Sequence, residues 1–209
     1  MAFHGCLFNK YTVNEHNTNY SNDKNGILFN KDKSVLISVP SAIDMEEYEI
    51  DAAVRRIEHH SFYDNETLKT IRIPDTVTEI GYYAFGSSAI ENIKLAYGLK
   101  RIPTYAFSRC DNLLSFVVPR SVEVIEKNAF YNSEIYDIYV PRETEYIGEY
   151  LSNNLFLVMH CYGGTVAETY ATQKSWKIEY IDDPDISKLA ELLNEYRNLN
   201  RKNYVEESL

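Results

Sequence analysis

The sequence predicts a solenoid of α+β, mostly β, character, with short strands in a parallel sheet on one face and turns or short helices on the other. Three observations predict it. The first is a pattern of apolar slots that returns about five times: Val54, Ile57, Phe62, Leu68, Ile71; then Val77, Ile80, Ala84, Phe85, Ile90, Ile93; then Leu99, Ile102, Ala106, Phe107, Leu113, Phe116; then Val122, Ile125, Ala129, Phe130, Ile135, Ile138. The second is its period. The slot held by Pro74 recurs at Asp51, Pro74, Ala96, Pro119, Pro141 and Cys161, in steps of 23, 22, 23, 22 and 20 residues, and a fixed spacing of this size is the mark of stacked supersecondary units. The third is a change of spacing inside each copy. Runs such as Ile90-x-x-Ile93-x-Leu95 suit a strand whose alternate side chains enter a core, whereas the apolar residues around each Ala-Phe pair stand three to five apart and suit a turn or short helix.

The elements follow in chain order. Residues 1–50 read as an N-terminal hairpin and cap: Tyr11-Thr12-Val13 is a short strand, Asn14 to Asn25 is a polar run, and two apolar strands, Gly26 to Phe29 and Ser34 to Pro40, flank an Asn/Lys/Asp turn. A solenoid needs such a cap, because its first coil otherwise exposes core. Met45 to Ile50 is the first strand of the array. Residues 51–162 hold the repeats, with Pro74, Pro119 and Pro141 after the strand closing their corners. The fifth copy is eroded: Leu151 and Ser152 occupy the Ala-Phe slots and the turn before Leu155-x-x-Val158-x-His160 is shortened. Residues 163–181 form a C-terminal cap. Gly163-Gly164 breaks the pattern, Thr165 is placed to cap a short helix, and Trp176 to Ile181 alternates as a closing strand. Over 182–209, Ile186, Leu189, Ala190, Leu193 and Tyr196 recur at helical spacing, so an amphipathic helix and tail are expected, either packed on the solenoid or bound to a partner.

Composition excludes several classes of function. The 21 basic and 31 acidic residues give a net charge of −10 with no long basic run, which disfavours a nucleic-acid partner. No run of about 18 apolar residues occurs, so membrane insertion is not expected. Residues 1–10 lack the apolar core of a secretory leader; a cytoplasmic location is the default expectation, and the cell surface or secretion the expectation if a leader precedes this sequence. The three cysteines, Cys6, Cys110 and Cys161, show no zinc spacing and read as free and structural. Tyrosine is abundant, at 18 copies, and suits the many half-buried positions of a thin array.

These residues resemble the BspA-type leucine-rich repeats. Ile73-Pro74-Asp75-Thr76-Val77-Thr78-Glu79-Ile80-Gly81-Tyr82-Tyr83-Ala84-Phe85 is similar to that family's repeat nearly slot for slot, and Ala106 to Leu113 is similar to its Ala-Phe, Cys and Leu turn. The resemblance extends over about residues 11–181 and departs at Asp51 and Ala96, which stand in the proline slot. It implies a leucine-rich-repeat solenoid of bacterial type that contacts a protein or glycan, with adhesion as the suggested setting for surface members.

Catalysis has little support. His59 and His60 are adjacent, not four apart on a helix, and His160 and Cys161 point apart if they lie on a strand. Phosphate-binding and nucleophile-elbow motifs are missing, so no enzyme, cofactor or metal is expected. The strand face is the expected binding surface. Its outward column is read as Arg72, Lys94, Val117, Tyr139 and Met159, beside a second column of Thr70, Asn92, Ser115, Asp137 and Leu157. An exposed Val117, Tyr139, Met159 run is expected to meet a protein or a second copy of the chain, unless residues 186–199 cover it. The alternative is a structural or self-associating scaffold without a dedicated ligand.

Overall fold

The computed structural model describes residues 7–182. Cys6 and the helix expected from residue 183 onward lie outside them. Three antiparallel strands open the fold: β1 (Tyr20–Asn22), β2 (Leu28–Asn30) and β3 (Val35–Ser38). The β2–β3 hairpin stands where the Asn/Lys/Asp turn predicts it, with Lys33 left-handed at φ 60°. Tyr11 to Val13 is not a strand; the third strand comes instead from the polar run, where Asn17 accepts two backbone N–H bonds and so ties the turn before β1. Gly26 is left-handed as well, at φ 76°, and Lys10 lies so close that a Cβ there would meet it at 2.4 Å.

Each coil of the array then contributes two strands, not one. The longer set forms a front face: β4 (Glu47–Glu49), β6 (Thr70–Arg72), β8 (Asn92–Lys94), β10 (Ser115–Val117), β12 (Asp137–Tyr139), β14 (Val158–Cys161) and β15 (Lys177–Tyr180). Two-residue strands form a side face: β5 (Arg56–Ile57), β7 (Glu79–Ile80), β9 (Arg101–Ile102), β11 (Val124–Ile125) and β13 (Tyr146–Ile147). All pairing among these strands is parallel. β3 pairs in parallel with β5, so the hairpin extends the side face and caps the first coil. Both ladders stop at the same place. The front face divides into β4-β6-β8 and β10-β12-β14-β15, and the side face into β3-β5-β7 and β9-β11-β13.

The third face consists of turns, not helices. Phe62, Phe85, Phe107 and Phe130 stack along it with centroids 4.8, 5.2 and 5.4 Å apart, all fully buried. Burying one such ring contributes roughly 1.5–3 kcal/mol. Ala84, Ala106 and Ala129 are the small neighbours that let the rings in. The residue before this slot in each coil, His60, Tyr83, Tyr105, Asn128 and Tyr150, is left-handed with φ between 53° and 60°. For residues with a Cβ that conformation costs on the order of 1 kcal/mol each. Part of it is offset by neighbours, since Tyr83 stacks on Tyr105 at 4.5 Å and on His60 at 5.6 Å. One apolar core runs without interruption from Ile27 to Trp176. Its C-terminal end is closed by α1 (Val166–Lys174), whose N-cap Thr165 accepts the Glu168 N–H as expected and whose Tyr170 hydroxyl accepts the Leu151 N–H.

Candidate interaction surface

Strand register decides which side chains line the front face. Glu49, Arg72 and Lys94 are aligned across β4, β6 and β8, and Val117, Tyr139, His160 and Glu179 across β10, β12, β14 and β15. Met159 is therefore not in this column. It pairs with Ile138, points into the core and is 0% exposed. The step into this coil is 21 residues, one more than the 20 expected from Cys161 in the proline slot, so the side chain in the outward slot is His160. In the second column Val158 stands beside Asp137 in the place expected for Leu157, which is buried. Thr70, Asn92, Ser115 and Asp137 stand in this column, which Glu47 extends in the first ladder and Val158 and Lys177 in the second.

Exposure changes along this face. Glu47, Glu49, Arg72 and Lys94 are exposed, and Thr70 and Asn92 are half-buried. Lys69 reaches Glu46 at 2.8 Å and Arg72 reaches Glu47 at 3.4 Å, so acidic side chains at β4 pair with basic ones of the next coil, and Lys94 continues the basic side on β8. Toward the C-terminal end the face closes. Tyr139, expected to be exposed, is 2% exposed: it stacks on the His160 ring at 4.1 Å and shares a small apolar cluster with Tyr162, Ile181 and Val117. Burial, with Glu179 near, pushes the Tyr139 phenol up to about 12. Asp137 is also buried. His160 Nε2 lies 2.6 Å from Asp137 Oδ1, and Nδ1 lies 3.4 Å from Glu179 Oε2. Burial holds this imidazole below its ordinary value, with Glu179 pulling the other way and Lys177 adding to the fall. The neutral ring satisfies Asp137 by donating its Nε2–H. Arg142 lies over the Tyr162 ring at 4.1 Å beside the cluster. The expectation that residues 186–199 cover this region falls outside the described residues.

Two features escaped sequence reading. His60, Tyr63, Tyr82, Tyr83, Tyr105 and Tyr131 form an aromatic row on the turn face, in contact coil to coil. Its signal was present in the 22-to-23-residue spacing of His60, Tyr83 and Tyr105. The facing rings of His60, Tyr83 and Tyr105 are spent on one another, which makes the row a packing element. The second feature is an apolar tip: Leu155 and Phe156 are 80% and 79% exposed, at a turn where other coils carry Glu66-Thr67 and Asp111-Asn112. Asn154 fixes the tip by accepting the Phe156 N–H and donating to the Ile135 carbonyl.

The remaining chemistry-bearing residues are held apart. His59 Nδ1 accepts the Tyr82 N–H, and His60 stacks on Tyr83. Cys161 is buried, on the opposite side of β14 from the outward His160, and burial first and Glu168 second push its thiol up to about 11. Cys110 is buried against Phe85 and Ser88, its thiol raised to about 12 chiefly by burial. Both cysteines are free. Among the described residues no three His, Cys, Asp or Glu side chains are grouped to hold a metal ion, and no helix is long and apolar enough to cross a membrane.

Coils of 21 to 23 residues with two strand faces and a turn face, a stacked phenylalanine spine and parallel ladders define a leucine-rich solenoid. The chain belongs to the BspA type leucine rich repeat family, which matches in six copies over residues 41–157, more than half of its length. Solved structures agree on the fold. The pneumococcal vaccine antigen PcpA superposes with a TM-score of 0.67 at 18% identity, covering 82% of this chain and 50% of that one. A leucine rich repeat protein of T. pallidum gives 0.56 at 21% identity, over 72% and 71% of the two chains. A leucine rich cell surface protein of Faecalibacterium prausnitzii A2-165 gives 0.54 at 22%, over 79% and 38%. This chain thus spans half or less of two of these three proteins. A search of curated protein sequences finds no match.

Proposed function

We propose that the chain is a non-enzymatic interaction module that docks a protein on the N-terminal half of its front face, through Arg72, Lys94 and Asn92 together with Glu47 and Glu49. The observation that carries this reading is the exposed set of charges held in register, acidic on β4 and basic on β6 and β8. Charges fixed in register suit recognition of a complementary protein surface. A glycan is less well served, because sugar rings pack on open aromatic faces and the one front-column aromatic, Tyr139, is buried against His160. The F. prausnitzii neighbour, a cell surface protein, supports a surface setting for this activity. A self-associating scaffold is the second reading, and the exposed Leu155–Phe156 tip is the observation that favours it.

A photo-crosslinking residue placed at Arg72, with Tyr131 on the turn face as control, tests both. Discrete adducts to a different protein from position 72 alone, lost on Lys94→Glu, are the expected result. Adducts only between copies of the chain, with light scattering that grows with concentration and is abolished by Leu155→Ser with Phe156→Ser, would establish the scaffold. Equal labelling from both positions would exclude the front face.

A further inference from the structure

The front and side ladders break between the same two coils, and the break has a visible cause on the side face. In the slot after each short strand, Glu58, Gly81, Glu126 and Gly148 donate an N–H to the carbonyl of the coil before, to Leu36, Ile57, Ile102 and Ile125 at 2.8 to 2.9 Å. The residue in that slot between β7 and β11 is Pro103, which has no N–H to give the Ile80 carbonyl. On the front face the next strand brings Phe116 into the inward column of Tyr48, Ile71, Ile93, Ile138 and Met159, and its ring packs on Phe107 and Phe130. Ile80 and Ile93, the core residues bordering the break, are only half-buried, whereas Ile57, Ile71, Ile102 and Phe116 are buried.

The turn face, by contrast, is stitched straight across. Phe85 N–H donates to the Ala106 carbonyl at 3.0 Å and Ser87 N–H to Ser108 at 2.8 Å. Phe85 stacks on Phe107, Tyr83 on Tyr105, and the Cys110 thiol donates to the Phe85 carbonyl at 3.0 Å. Two open edges facing one continuous edge form a hinge whose axis runs along the Ala-Phe turns.

We infer that the solenoid bends at this seam, with Pro103 as the residue that keeps the side edge open. The bend changes the angle between the charged strands β4, β6 and β8 and the closed cluster around Tyr139 and His160. The inference rests on the fold and stands whether or not the front face binds a protein.

Amide hydrogen exchange on the intact chain tests it. Leu95 and residues 100–102, which occupy the ladder positions at the seam, should exchange about tenfold or more faster than their equivalents Ile73 and residues 123–125. Pro103→Ala restores the missing donor and should slow residues 100–102 toward the level of 123–125. Spin labels at Glu49 and Lys177, in a Cys6→Ser background with Cys110 and Cys161 left in the core, should give a broad distance distribution that narrows in Pro103→Ala. Equal protection on all coils of the wild-type chain overturns the hinge. So does a folded Pro103→Ala protein whose seam exchange and label distribution match the wild type.

Discussion

At the scale of single residues, His160 joins three neighbouring strands, since it lies on β14 between Asp137 of β12 and Glu179 of β15. Burial keeps its folded-state value below the ordinary 6.5. Between the two values the unfolded chain holds more protons than the folded one, so stability falls as the pH drops through about 6.5 and is unaffected by this group above about 7.5. Thermal unfolding followed from pH 7.5 to 5 should show a declining midpoint in the wild type and a flatter profile in His160→Gln. A wild-type midpoint that rises on acidification would show that the two carboxylates outweigh burial. The left-handed residues illustrate the same local trade in another form: Tyr83 and Tyr105 accept backbone strain in exchange for a ring stack at 4.5 Å.

At the scale of elements, α1 acts as a lid on the last coil, burying Ala167, Tyr170 and Ala171 against the core. Thr165 starts it by accepting the Glu168 N–H, while Glu168 in turn accepts the Gly164 N–H. Thr165→Ala should cost about 1 kcal/mol in urea unfolding. A larger loss would mean that the lid holds more of the fold than its own cap. The elements also show what sequence reasoning reaches. Core slots such as Ile57, Phe85 and Ile138 were legible because stacking forces one apolar pattern to return at one period. The side strands were not, because two residues cannot display an alternation. β1 was hidden in a run of asparagines whose side chains, not whose hydrophobicity, build the turn. Placing Cys161 in the proline slot makes the last step 20 residues and puts Met159 at the surface, whereas the ladder pairs Tyr139 with His160, 21 residues on, and gives the outward place to the imidazole. Arg72, Lys94 and Asn92 were placed correctly on the front face, while the burial of Tyr139 and Asp137 depended on Tyr162, Ile181 and Glu179, which are distant in the repeat pattern.

At the scale of the whole molecule, stability in a solenoid passes from coil to coil, so the position of a defect matters as much as its chemistry. Phe107 touches Phe85, Phe116 and Phe130, whereas Phe62 stacks on Phe85 alone among the rings of this spine. Phe107→Ala should therefore cost about 3–5 kcal/mol and exceed Phe62→Ala, as measured by equilibrium urea unfolding. Equal losses would argue that the array unfolds as one block. The register itself carries one more consequence. Paired inward residues Tyr48, Ile71 and Ile93 stand 23 and 22 residues apart, while Phe116, Ile138 and Met159 stand 22 and 21 apart, yet every pair meets face to face. Ladder pairing, not residue count, keeps the reading frame of this molecule, and the turns serve as its punctuation. Chain length can thus drift at the turns from coil to coil without a change of meaning, whereas one residue gained inside Val158–Cys161 would exchange imidazole for thioether at the surface.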